Sequence, residues 1–181
     1  MKKILIFKTD RLGDLLNISP IISNLKLNNP SCEITLICSS YNEPLVKYHH
    51  HDLNYIVFKK SIIAFLIKNF SFIFSNKYDL ILQLDGKNHS YLLSTLIRST
   101  KKACIIFIKY KKFFGLNLKI HRPNFLIKFF FNFIEISNEN YNHTDNKKFH
   151  YLGLYLSLLA KLNIKIETKK HYLPFIPNSN N

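Results

Sequence analysis

Arginine and glycine are both scarce in this 181-residue chain. Only Arg11, Arg98 and Arg122 among the 26 basic residues are arginine, glycine occurs four times, and tryptophan is absent. No Gly-x-Gly-x-x-Gly or Walker pattern follows an apolar run, so a self-contained dinucleotide or triphosphate site is not expected. Cysteines stand only at 32, 38 and 104, without metal-site spacing and in odd number. Cys32 and Cys38 fall at the two ends of one predicted strand, which disfavours a bridge between them. Reduced thiols in a cytoplasmic protein are the plain reading. Long hydrophobic runs are also missing: 62–74 and 125–136 are too short to span a bilayer and are interrupted by Lys68 and Lys128. Met1-Lys2-Lys3 leads into a strand-like run and then charge, not into a signal peptide. His49-His50-His51 is a run of three, but adjacent histidines on a regular element cannot all face one ion. No acidic residues frame them, so an exposed loop is expected and no metal or other cofactor.

Acidic residues are few, 11 against 26 basic, giving a net charge of +15. Such a charge suggests a polyanionic partner. No RNP-like, helix-turn-helix or zinc-finger pattern accompanies it, so nucleic acid is not expected. The dominance of lysine, with abundant Asn, Ile and Phe, is what an AT-rich coding sequence produces, so part of the charge is compositional. Attraction to an anionic membrane surface, peripheral at the inner membrane, or to a phosphorylated glycolipid is the electrostatic reading that remains.

What the chain does have is an ordered opening. Lys3-Ile4-Leu5-Ile6-Phe7 reads as a strand, Lys8 to Asp14 as a polar loop, and Ile18, Ile21, Ile22 and Leu25 fall at helical spacing. The loop lies at the carboxyl end of the first strand, the edge where open α/β sheets bind ligands. Gly13 offers backbone freedom there. Asp14 falls at a helix start, where a carboxylate is favoured whether as a plain cap or as a functional group. Strands are predicted at Glu33–Ser39, Asn54–Phe58, Tyr78–Leu84 and Ala103–Ile108. Helices are predicted at 60–76, His89–Arg98, 125–136 and over Phe149, Leu152, Leu156 and Leu159. Strands alternating with helices imply βαβ units in an α/β, Rossmann-like, mostly parallel sheet. Residues 109–122 read as an irregular basic segment interleaved with aromatics, suited to anionic lipid or sugar phosphate or simply a solvated loop. Residues 137–146 read as an exposed loop, and 167–181 as a linker or terminal tail after a domain spanning 1–166. Asp85-Gly86-Lys87-Asn88 ends its strand on the same edge as Asp14. It either lines the same cleft or makes a strand-to-helix turn with Asn88 as cap.

The run KILIFKTDRLGDLLNISPIISNLKLNNPSCEITLI resembles the amino terminus of the family 9 glycosyltransferases, the lipopolysaccharide heptosyltransferases. Leu12, Gly13, Asp14 and Pro20 stand where that family has its Leu/Met-Gly-Asp and a later proline. The segment Tyr78 to Gly86 resembles the family's YDLVIDLQG, and Lys148-Phe149-His150-Tyr151 into Leu159 its late helix that opens near a histidine, so the likeness runs to about Pro177.

The resemblance implies one half of a GT-B architecture, on the acceptor side. It implies sugar transfer, heptose from ADP-heptose, to a lipopolysaccharide-core or related glycolipid acceptor, with Asp14 as general base. A base is needed to take the proton of the attacking hydroxyl, and positive groups or amide dipoles to stabilise the departing diphosphate. A carboxylate at a helix start is a weak base, acting chiefly through position and charge. Lys8 and Arg11 are candidates for an acceptor phosphate, with Gly13, Asp85, Gly86 and Lys87 as further substrate-binding residues. Family members hold the nucleotide-sugar donor mainly in a second Rossmann-like domain, which these residues do not include. Donor binding is therefore expected only with that domain supplied, and ADP-sugar binding by these residues alone no tighter than roughly millimolar. A non-catalytic binding module or inactive fragment retaining the acceptor-side fold is the alternative.

Overall fold

A computed structural model of the chain describes residues 1–49, 51–59, 61–113, 116–122, 129–138 and 151–171. The elements follow the order β1 (Lys3–Lys8), α1 (Leu12–Leu16), α2 (Ser19–Asn28), β2 (Glu33–Ser39), α3 (Glu43–Lys47), β3 (Asn54–Phe58), α4 (Ile62–Lys68), α5 (Phe70–Ser75), β4 (Tyr78–Gln83), α6 (Asn88–Leu96), β5 (Ser99–Phe113), β6 (Leu116–Arg122), β7 (Phe133–Asn138) and α7 (Tyr151–Lys161). Strands β3-β2-β1-β4-β5 pair in parallel, and β7 adds to β5, also in parallel. This is an α/β Rossmann-like sheet. The chain winds outward from β1 in one direction and from β4 in the other, which leaves the switch point between β1 and β4.

Both faces of the sheet are covered, so its strands are nearly continuous apolar runs. Alternation decides which side chain goes where. Ile4 and Ile6 of β1 pack with Ile18, Ile21, Ile22 and Leu25 of α2 and Tyr155, Leu156 and Leu159 of α7. Leu5 and Phe7 pack on the other face with Phe65 of α4, Ile73 of α5 and Leu93 of α6. Lys8 continues the Ile4–Ile6 series and so points its side chain to the α7 face.

Four features differ from the sequence reading. The helix expected over 60–76 is two helices, broken at Asn69, whose side-chain amide donates to the Phe65 carbonyl at 2.9 Å. Where described, 109–113 and 116–122 are strand and not loop: β5 and β6 pair antiparallel as a hairpin from Phe107↔Arg122 to Phe113↔Leu116. The helix expected over 125–136 is, where described, a short 3₁₀ turn at Phe129–Phe130 and the start of β7. Ser137 is buried in that strand, not in an exposed loop. Residues 139–150, and His150 with them, lie outside the described residues.

Pairing also fixes where the hairpin goes. Ala103 and Cys104 pair with both β4 and β7, and Phe107 and Ile108 with both β6 and β7. One residue has only two lateral neighbours, so β6 lies on the β4 side of β5, beyond the carboxyl end of β4. The hairpin thus overhangs the edge at which the β1 and β4 loops emerge.

The segment after α7 returns along α2. The Asn24 amide, fully buried, donates to the carbonyls of Pro20 and Thr168, both at 2.7 Å, and accepts from the amides of Glu167 at 2.6 Å and Thr168 at 3.0 Å. One turn on, Asn28 bonds both backbone groups of Lys165. Removing Asn24 leaves several backbone groups without partners, each costing about 1–3 kcal/mol when buried. We expect Asn24→Ala to lower stability by about 2–3 kcal/mol in urea unfolding. A change below about 0.5 kcal/mol, the range of ordinary surface substitutions, would contradict this account.

Candidate functional site

The loops after β1 and β4 meet at the switch point, and one carboxylate joins them. Asp85 Oδ2 accepts from the Thr9 amide at 3.0 Å, the Thr9 hydroxyl at 2.6 Å and the Ser90 hydroxyl at 2.6 Å. Its Oδ1 accepts from Gln83 Nε2 at 2.6 Å and the Lys87 amide at 2.9 Å. Because the Thr9 hydroxyl gives its single hydrogen to Asp85, the 2.9 Å contact between it and His89 Nε2 requires the histidine to donate. His89 also stacks on Phe58, with ring centroids 4.3 Å apart and planes 8° from parallel. Burial lowers its pKa, against the pull of Asp85, and keeps the ring neutral.

A second constellation lies beneath. The Lys8 ammonium is buried and donates to Asp10 Oδ2 at 2.8 Å, the Leu84 carbonyl at 3.1 Å and the Tyr155 hydroxyl at 2.8 Å. All three of its hydrogens are used. Burial alone would lower its pKa, but Tyr155 and Asp10 outweigh this and hold it above the ordinary lysine value. Burial pushes the Tyr155 phenol up to about 12, despite Lys8, so at neutral pH it is an uncharged acceptor. Asn42, also buried, donates to the Asp10 carbonyl at 3.0 Å and ties in the loop after β2.

Above these groups opens a cleft of about 600 Å³, lined by Lys8, Asp10, Arg11, Gly13, Asp14, Asp85, Gly86, Lys87, Phe107 and Tyr151. All seven residues singled out from the sequence are therefore in one place. Their situations differ. Arg11 and Lys87 are exposed, Asp14 is half-buried in the first turn of α1, and its amide donates to the Arg11 carbonyl at 3.0 Å. Lys8 has no hydrogen left for a ligand and contributes charge only. Asp85 is spent on holding the loops. Gly13 corrects the expectation of a specially shaped turn: it lies in α1 with an ordinary φ, and a Cβ there would meet nothing within 4 Å. Gly86 is the glycine the backbone demands. Its φ is +64°, and a Cβ would come within 2.5 Å of the Phe107 ring. Asn88 is the first residue of α6 and not its cap; Lys87 holds the cap position, without a side-chain bond.

Sequence reasoning gives Asp10 no role beyond its place among the polar residues of 8–14, and it misses Phe107, Tyr151 and the support from Tyr155. Asp10 is the most consequential. Its Oδ1 is buried at the cleft without a hydrogen-bond partner. Burial raises its pKa to about 6, against the opposing pull of Lys8. The signal was an acid two residues beyond a strand-terminal lysine. Among the described residues no group of histidine, cysteine and carboxylate side chains could hold a metal, and no helix is long and apolar enough to cross a membrane. A smaller cavity of about 330 Å³ lies at the opposite, amino-terminal edge, lined by Lys3, Glu33, Asn54 and Tyr78 among others.

The fold and cleft define a Rossmann-like unit with its polar site at the switch point. No protein-family profile matches the sequence, and no curated protein does. Solved structures do match in fold. A glycosyl transferase family 9 protein from Veillonella parvula aligns with a TM-score of 0.69 at 17% identity, over 97% of this chain and 45% of that one. The E. coli heptosyltransferase WaaC with ADP-2-deoxy-2-fluoro heptose aligns with a TM-score of 0.65 at 16% identity, over 93% of this chain and 51% of that one. The E. coli ADP-heptose LPS heptosyltransferase II gives 0.57 at 12%, over 99% and 47%. The chain thus has the α/β fold found in family 9 glycosyltransferase structures and spans about half the length of each.

The Lys8–Asp10 pair gives a titration test. An acid whose folded pKa is raised favours folding in its protonated form. That contribution is complete below the ordinary carboxylate range and is lost as pH rises through about 6. Carboxyl-carbon NMR should show Asp10 titrating near pH 6, and Lys8→Met should move it higher still while lowering stability by about 3–5 kcal/mol. A downward move in the variant would show that Lys8 does not act on Asp10.

Proposed function

We propose that this chain is the acceptor-side half of a family 9-type glycosyltransferase. It would bind a glycolipid or sugar-phosphate acceptor in the cleft between the β1 and β4 loops. The observation that carries the reading is the convergence of Asp14, Arg11, Gly86 and Lys87 on one cleft at the switch point of the sheet. Phe107 and Tyr151, with ring centroids 6.2 Å apart, give that cleft an aromatic wall suited to the apolar face of a sugar ring. Arg11 and Lys87, both exposed, are the cations free to meet an acceptor phosphate.

In the proposed step an acceptor hydroxyl attacks the anomeric carbon of a nucleotide-diphosphate sugar. Its oxygen forms the new glycosidic bond, while the bond from that carbon to the diphosphate breaks and the diphosphate leaves with the electron pair. The hydroxyl proton passes to the Asp14 carboxylate. Structures of similar fold are described with ADP and an ADP-heptose analogue, which supports ADP-heptose as donor. Groups that stabilise the departing diphosphate would come from the donor-binding half, whether continuous with this chain or separate. The cytoplasm is the compartment this reading requires for a nucleotide-sugar donor.

In an assay of ADP release by the two halves together, Asp14→Asn should lower sugar transfer by about 10²–10⁴-fold with the fold intact. Transfer at the unmodified rate would remove Asp14 from the chemistry. Acceptor binding without any transfer by the unmodified pair would instead favour a binding module.

A further inference from the structure

We propose that the outer face of α4 and α5 docks on an anionic lipid surface. Helices that cover a sheet normally turn an apolar face inward and a polar face to water. These two do not. Phe65 and Ile73 point into the core, yet Ile63 is 71% exposed, Ile67 74%, Phe70 64% and Phe74 44%. On α4 Ile63 and Ile67 stand at i and i+4, and on α5 Phe70 and Phe74 do the same, so the two helices carry an exposed apolar stripe interrupted at Asn69. The Phe70 and Phe74 rings touch each other, with centroids 4.7 Å apart, instead of the core. Exposed apolar side chains grouped in this way mark an interaction surface.

Charge selects the partner. From Leu53 to Tyr78 the sequence contains no Asp or Glu, and Lys59, Lys68 and Lys77 are exposed there. Glu43 is the one acidic residue sharing the shallow depression lined by Lys59 and Lys68. A second copy of the chain would bring these lysines against their own counterparts, a like-charge juxtaposition that disfavours self-association. A nucleic acid would meet the lysines but offer nothing to Ile63 and Ile67. An anionic bilayer satisfies both, with acyl chains for the stripe and head groups for the lysines. Neither helix is long enough to span, so the protein would lie on the surface.

The placement adds a reason. Ser61 caps α4, accepting from the Ala64 amide at 3.3 Å, directly after β3 at the carboxyl edge of the sheet. The stripe therefore starts on the edge that carries the cleft. The proposal is independent of any catalytic reading of that cleft.

The test is co-sedimentation of the 181-residue protein with vesicles of phosphatidylcholine alone or with 30% phosphatidylglycerol, at about 0.1 M salt, where exposed charges still act over roughly 10 Å. Binding should be at least tenfold stronger to the anionic vesicles. The double variant Ile67→Glu/Phe70→Glu should lose at least tenfold of it, with an unchanged circular-dichroism spectrum, since both positions are exposed. Lys59→Gln/Lys68→Gln, which leaves the stripe intact, should lose severalfold and serves if the first variant misfolds. Absence of binding to anionic vesicles would overturn the proposal. So would equal binding by the variants, which would assign attraction to net charge alone, or a stripe variant that changed only the oligomeric state.

Discussion

A buried ammonium at the end of β1 is the constraint on which the site depends. Stripping water from a lysine costs several kcal/mol unless its hydrogens find acceptors in place. Lys8 finds three, from Asp10 in its own loop, Leu84 at the end of β4 and Tyr155 on α7. Leu84 and Tyr155 are far from Lys8 in sequence, so the full set of bonds exists only when the central strands and the last described helix are assembled. It fixes the β1 loop against the β4 loop and sets Asp10 at the cleft with one oxygen unpartnered. The Asp85 carboxylate does the same from the β4 side, with five donors drawn from residues 9, 83, 87 and 90.

The two polar centres divide the labour of the loops. Lys8 and Asp85 are consumed by structure, which leaves Arg11, Asp14 and Lys87 available to a ligand. Charges near the sheet edge are therefore of two kinds, and burial separates them: Lys8 and Asp85 are enclosed, Arg11 and Lys87 face water. The β5–β6 hairpin completes the arrangement from above. Phe107, at the base of the hairpin, packs where a Cβ of residue 86 would stand, so the positive φ of Gly86 and the aromatic wall are one feature.

Much of this was legible in the sequence. Strands β1 to β4 are apolar runs of strand length ended by polar loops, and the helical spacing of α2 and α7 is plain. Alternation of strands with helices is enough to put the β1 and β4 loops on one edge, and Lys8, Arg11, Gly13, Asp14, Asp85, Gly86 and Lys87 all line the cleft there, while Asn88 does not. The failures have particular causes. In 116–122 the alternation Leu116-Asn117-Leu118-Lys119-Ile120-His121 is a strand pattern of period two, but the lysines on either side made the segment look like a solvated loop. In 125–136 the density of Phe and Ile imitated a helix, and the alternation Ile134-Glu135-Ile136 at the start of β7 was too short to stand out. Among the polar residues of 8–14, Asp10 has no local mark of its own, because its importance comes from Lys8 and nothing local announces that a strand-terminal lysine will be buried. A glycine beside a motif suggests a special conformation, but Gly13 lies in α1 with a φ that needs none.

The central claim is that the carboxyl edge between β1 and β4 is where this chain meets its ligand. Amide chemical-shift mapping with a sugar-phosphate acceptor tests it most directly, because the two edges of the sheet carry different residues. The account predicts shifts concentrated at Arg11, Gly13, Asp14, Gly86 and Lys87. Shifts concentrated instead at Lys3, Glu33, Asn54 and Tyr78, around the smaller cavity at the opposite edge, would contradict it.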